Sequence, residues 1–237
     1  MTQTITRDKF VLPSEISLVL GLVLLAFSVA LAHISAFGLS PLSSVPFVLS
    51  LKFTFFSKGT WTSLVMVLLL IVLIVLTKKS IKSALADFLL SFVFGWLVDF
   101  ALWLFAGIPT GIAWRILYYA IGFFAIPMGI TLFVKSGYPL LPFDSFVRDL
   151  SSYYGWKYSI TKTITDITFV SFSILFSLLA LGGLKDVGVG TIVTALFTGF
   201  IIKLYSQALD KVMTVEPWFP KFRAFFSNPG QEDATIK

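Results

Sequence analysis

Apolar residues run along this chain in long unbroken stretches, punctuated by short polar groups. Six stretches approach the roughly 20 residues that a helix needs to cross a ~30 Å hydrocarbon layer. They cover about 16–37, 61–76, 81–105, 112–133, 164–181 and 189–209. Thr77-Lys78-Lys79 closes the second, Gly107-Ile108-Pro109 follows the third, and Gly182-Gly183 ends the fifth. Pro127 inside the fourth predicts a kink. The pattern predicts an all-α polytopic membrane protein, a single transmembrane domain over 1–237. Ala30-Leu31-Ala32 imitates a leader cleavage site. The apolar run is longer than a leader's, and its flank (Arg7-Asp8-Lys9, Glu15) is not cleanly basic, so the first span is expected to stay.

The pattern also repeats. At an offset near 100 residues, Pro41-Leu42-Ser43 falls on Pro142-Phe143-Asp144, each opening a segment after a span. In the second half Phe143, Phe146, Val147, Leu150, Tyr153 and Tyr154 fall on one helix face. About 14 residues is too short to span, so an interfacial or re-entrant helix is expected there, and a related segment over 41–56. The third and sixth spans match as Ser91-x-x-x-Gly95 and Ala195-x-x-x-Gly199, small-residue spacings that let helices approach closely. Four residues after each glycine comes a charge, Asp99 or Lys203, expected to face the bundle. Each half (about 14–106 and 110–212) has three spans. An odd number turns the second half upside down, the inverted repeat common in transporters.

Composition narrows the classes. The 237 residues are 57% hydrophobic and 13% charged, against about 25% charge in soluble domains, which excludes a soluble enzyme, a disordered chain and a nucleic-acid module. There is no Cys, hence no disulfide or thiolate metal site, and the one His excludes a multi-histidine metal site. No cofactor is implied. The net charge of +6 acts through position. Thirteen of 18 Lys and Arg fall at the termini and in the 2–3 and 4–5 connections, which places both termini in the cytoplasm of a bacterial cell. The tail over 213–237 interleaves aromatics with cations after a span and reads as an interfacial anchor, its partner the lipid bilayer.

Three segments carry a resemblance. Ala36-Phe37-Gly38-Leu39-Ser40-Pro41 resembles the "GLGTSPWD" turn of the YczE/YitT-like bacterial integral membrane proteins. Lys58-Gly59-Thr60-Trp61-Thr62 resembles their "FGTW" element, and the stretch from Val189 to Ile201 their "GTLLNALLIGPFI" segment. Ser43 departs from the first-half acid, which Asp144 keeps in the second half, and Phe200 replaces a proline. Some members are encoded beside pyridoxal-phosphate-binding regulators, which implies vitamin B6 as a candidate cargo. The chain also resembles the substrate-binding S subunits of energy-coupling factor (ECF) vitamin importers in size, span number and a long loop after the first span. Ala26-x-x-x-Ala30 is similar to the face by which such subunits dock on a transmembrane coupling protein, itself joined to two ATPase subunits.

With the N-terminus inside, the outer ends of the spans carry His33, Trp61, Asp99, Trp103, Arg115, Tyr118, Tyr119 and Thr191, and the outer loop adds Ser43 and Ser44. Aromatic planes with a few polar groups suit a small amphipathic molecule. Arg115 could hold a phosphate or carboxylate. Asp99 could accept from a ligand or pair with Arg115, and the aromatics could equally form an interfacial belt. The inner half holds Asp87, Asp144, Asp166 and Lys203, where Lys203 could bridge to Asp87 or Asp166. The leading expectation is an S subunit for a vitamin-like molecule, with outer residues contacting the ligand. The alternative is a self-contained carrier driven by an ion gradient, with Asp166 or Asp87 as its proton site. A non-transporting scaffold is the third. An enzyme is least favoured, as no catalytic or nucleotide-binding motif is present.

Overall fold

A computed structural model describes residues 10–77 and 81–221, the side chains of 81–83 excepted. The order is β1 (Phe10–Pro13), α1 (Ser14–Ser35), α2 (Pro41–Lys52), α3 (Lys58–Thr77), α4 (Ile81–Leu104), α5 (Ile112–Lys135), α6 (Pro142–Tyr154), α7 (Tyr158–Leu181), α8 (Val189–Val212) and β2 (Met213–Glu216). Six of the helices are long and apolar enough to cross a membrane, and they match the six apolar runs. The largest boundary difference is α7, which begins six residues before the expected 164. Thr161, Lys162, Thr165 and Asp166 break the apolar run in sequence, yet all four are buried inside the helix packing.

α1 and α5 form the antiparallel centre. Ser17 Oγ donates to Leu132 O at 2.7 Å, near the start of one helix and the end of the other. A Cβ on Gly21 would lie 2.9 Å from Gly129 O, so glycine there permits backbone approach. α5 runs through Pro127 without interruption. The remaining packing comes in matching pairs. α1 meets α4 as α5 meets α8; α3 meets α4 as α7 meets α8; α2 packs on α7 as α6 packs on α3. Gly95 lies against Gly59 at the start of α3, and Gly199 against Ser159 at the start of α7.

Short helices form at both expected places, and the packed face of α6 differs from the one expected. α2 starts on Pro41, with Ser40 Oγ accepting from Ser43 N, and is buried all round from Pro41 to Val48, so it has no solvent face. α6 does bury Phe143 and Val147, but Tyr153 and Tyr154 are exposed, while Asp144, Ser145 and Ser151 point into the protein's buried face. Polar residues take the place of part of the apolar stripe at the packed surface.

β1 and β2 pair in parallel, with Phe10 opposite Met213 and Pro13 opposite Glu216. Glu15 accepts from Tyr138 Oη at 2.6 Å and from Trp218 N and Phe219 N at 3.1 Å each. The two ends of the bundle therefore close on one face, here the terminal face. The other is the far face. The tail expected as an anchor begins with β2 and the exposed Trp218 and Phe219. Its aromatic and basic residues from Phe222 onward lie outside the described residues, as do the N-terminal Arg7 and Lys9 and the loop residues Lys78 and Lys79.

Candidate functional site

Polar chemistry gathers at two levels. On the far face, α1 ends at His33, α3 starts at Lys58, and the α7–α8 turn supplies Asp186 from a left-handed backbone (φ 57°) that Asp tolerates better than most residues. His33 Nδ1 lies 3.1 Å from Asp186 Oδ1, and His33 Nε2 meets Lys58 Nζ. Since an ammonium only donates, Nε2 is the acceptor of the Lys58 contact. Burial alone would raise the Asp186 carboxyl, but the His33 ring and the Lys58 charge outweigh it and hold it below the usual carboxylate value. Lys58 also stands 5.3 Å above the Phe47 ring of α2. A cavity of about 130 Å³ adjoins the site, lined by His33, Gly38, Leu39, Leu184, Asp186 and Val187 among others. Asp186 Oδ2 is buried without a hydrogen-bond partner. Drug-sized ligands occupy roughly 300–1,000 Å³, so this cavity suits a few waters or a small ion, and is too small for a vitamin.

In the terminal half, α6 and α7 bring together Asp144, Arg148, Tyr158, Lys162 and Asp166. Lys162 and Asp166, one turn apart on α7, form an ion pair with 2% and 0% of each residue exposed. Arg148 Nε donates to its neighbour Asp149 at 2.8 Å. Asp144 is buried, its Oδ1 has no hydrogen-bond partner, and no Lys or Arg among the described residues forms an ion pair with it. Burial pushes the Asp144 carboxyl up from 3.8 to about 6; Lys162 and Arg148 pull it down, and Asp166 pushes it up. Tyr158 Oη, Arg148 Nη2 and Asp166 Oδ2 are likewise buried without hydrogen-bond partners. Asp87 of α4 is fully buried as well.

The expected ligand residues do not form one pocket. Asp99 accepts from Gly59 N at 2.8 Å and from Ser57 Oγ at 2.5 Å, capping the start of α3 instead of pairing with Arg115. Trp61 donates to Phe53 O and packs among Phe53, Phe55 and Phe56. Trp103 is 71% exposed on the helix rim. Arg115 opens α5 with its Nε buried and without a hydrogen-bond partner. Tyr118 is buried and stacked on Trp114. Tyr119 Oη donates to Gly190 O at 2.9 Å, and buried Thr191 accepts from Gly188 N. Ser43 and Ser44 are buried on α2; Ser44 Oγ meets Ser173 Oγ of α7 at 2.8 Å. Only His33 enters an ionic site. Ala26 and Ala30 are 0% exposed, because α1 is the central helix, so the expected docking stripe is covered by the chain's own packing. Lys203 is exposed and does not face the bundle, and it is Lys162 that holds Asp166.

Sequence reading missed Asp186, Arg148 and Lys162 as site residues. Arg148 and Lys162 looked like loop cations, and their positions, each one turn from a buried carboxylate (Asp144 and Asp166), were the available signal. Asp186 carried only its place in a Gly-flanked turn.

The motif segments turn out to hold one another. Gly190 N donates to Phe37 O at 2.9 Å, and Gly38, at φ 122°, lies so close to Thr191 that a side chain would not fit.

Six spanning helices with one buried and one partly buried ionic site define a multi-pass α-helical membrane protein. The chain belongs to a family of unknown function, DUF6198, whose sequence profile matches residues 12–207. It is 28% identical to the uncharacterized membrane protein YczE of Bacillus subtilis (strain 168), over 77% of this chain and 80% of YczE. It is 25% identical to the uncharacterized protein YyaS of the same organism, over 81% of this chain and 92% of YyaS. No solved structure matches it. The resemblance to YczE carried by the motif residues is thus a true relationship.

Proposed function

We propose that this protein is a self-contained secondary transporter of a small polar molecule, working in a bacterial cell membrane with both termini cytoplasmic. The observation that carries this is the fully buried Lys162–Asp166 pair beside Asp144 inside a bundle of spanning helices. Charges there are costly to insert, and in membrane proteins they mark solute and ion pathways by default. The paired packing of α1–α4 and α5–α8 supports an inverted repeat, the architecture in which one half rocks against the other around a central site. Ala26 and Ala30 offer no face to a coupling protein, so the S-subunit reading loses the contact on which its docking rested. Transport is preferred to catalysis because the charged groups are divided between two levels and do not converge on one reacting atom. The test is reconstitution of the purified chain alone in liposomes, incubation with a bacterial metabolite extract, and mass spectrometry of the lumen. At least one metabolite should enter beyond protein-free liposomes. No entry, or entry only after ATPase subunits are added, would overturn the reading.

A further inference from the structure

We propose that Asp144 is the proton-binding site of this protein, an inference that rests on the carrier reading and names its coupling ion. Of the charges around it, Asp166 is neutralised by Lys162, and Asp149 contacts Arg148. Asp144 is thus a buried carboxylate that forms no ion pair with a Lys or Arg among the described residues, and its Oδ1 has no hydrogen-bond donor. α3, α4 and α7 pack on α6. α7 contributes Tyr158, Lys162 and Asp166; α4 contributes buried Asp87; α3 carries no titratable group after Lys58, which is at its far-face end. α6 itself adds Arg148 and Asp149.

The sequence alone pointed to Asp166 or Asp87 as the proton carrier. Asp166 already has a cation one turn away, so a proton arriving there would have to break a buried pair. Asp144 has none to break. A hydronium ion on the terminal face gives its proton to Asp144 Oδ1: one O–H bond forms, one breaks, and a water is left. With Asp144 neutral, α6 can stay packed against α3 and α7. With Asp144 ionised, an uncompensated charge sits in the packed interior, which favours an arrangement that admits water or a solute cation. Proton binding and the position of α6 are thereby linked, and linkage is reciprocal.

The test needs no substrate. Infrared difference spectra of the purified chain in lipid nanodiscs are recorded through a pH titration, for wild type, Asp144→Asn, Asp144→Glu and the exposed control Asp210→Asn. A protonated-carboxyl band should titrate with its midpoint near 6, vanish in Asp144→Asn, return shifted in Asp144→Glu and persist in Asp210→Asn. Matching elution profiles and melting curves establish that Asp144→Asn is folded. Should that variant fail to fold, loss of the wild-type band on Asp144→Glu, with a new band in its place, carries the same assignment. A band that survives in Asp144→Asn, or no such band in wild type, overturns the proposal. A band that behaves as expected in a chain that moves no solute leaves the proton site standing and removes the carrier reading, so the two failures are separable.

Discussion

Asp99 carries a charge that a membrane helix could not cheaply leave in lipid, and the structure uses it as the cap of another helix. Its two oxygens accept hydrogen bonds from Gly59 N and Ser57 Oγ, binding the end of α4 to the beginning of α3. Asp99→Ala should therefore lower stability by about 1–2 kcal/mol, as loss of an N-cap does. Asp99→Asn, which keeps an acceptor, should lose less, and neither should abolish solute uptake. Reversible unfolding in mixed detergent, followed by tryptophan fluorescence, measures both. The Lys162–Asp166 pair should behave differently. Lys162→Met strands a buried carboxylate and should cost about 3–5 kcal/mol, whereas Lys162→Met with Asp166→Leu should recover most of the loss. The double variant should fold and fail to transport, which separates a structural pair from a working one.

Among the elements, α6 is where pH should be felt. Asp144 has a folded value near 6 against an ordinary 3.8. An acid raised in this way holds its proton more tightly when folded. The contribution of Asp144 to stability is then greatest below about pH 4, declines as pH rises to about 6, and stays low above that. Asp144→Asn should be more stable than wild type at about pH 7.5, by at most about 3 kcal/mol, and equal to it near pH 4. Denaturation curves at the two pH values decide it, and a variant less stable at the higher pH contradicts the burial argument. A second contrast concerns small residues. A Cβ on Gly95 would enter Ser63 Oγ and the Gly59 backbone, while one on Gly183 would meet nothing. Gly95→Ala should prevent or severely weaken folding, and Gly183→Ala should leave the melting curve unchanged. The six long helices were legible because uninterrupted apolar runs have one stable solution in lipid. The start of α7 was not, because its buried Lys162 looks like a loop residue when its pairing with Asp166 is unseen. β1 and β2 were not legible either: four-residue strands pair across some 200 positions of sequence, and nothing local announces it. For the same reason His33 stood out as a lone histidine near a span end, but its partner Asp186, more than 150 residues away, did not.

The whole molecule has both ends of its bundle on one face, through β1–β2 pairing and the hold of Glu15 on Trp218 and Phe219. On the proposed orientation, which the positive-inside rule supports, that face lies in the cytoplasm. Because the chain has no cysteine, single substitutions read this out directly. Thr54→Cys and Lys185→Cys should react with an impermeant maleimide on intact cells, and Lys157→Cys only after permeabilisation. Labelling of Lys157→Cys on intact cells would reverse the orientation and place Asp144 toward the outside. In the proposed mechanism one chain moves a solute and couples it to a proton at Asp144. The most direct measurement uses liposomes containing only this protein and a trapped pH indicator, exposed to fractions of a metabolite extract. Wild type should show a solute-dependent change of internal pH that Asp144→Asn abolishes. Solute entry with no proton movement, or an equal pH change in Asp144→Asn, would contradict the account.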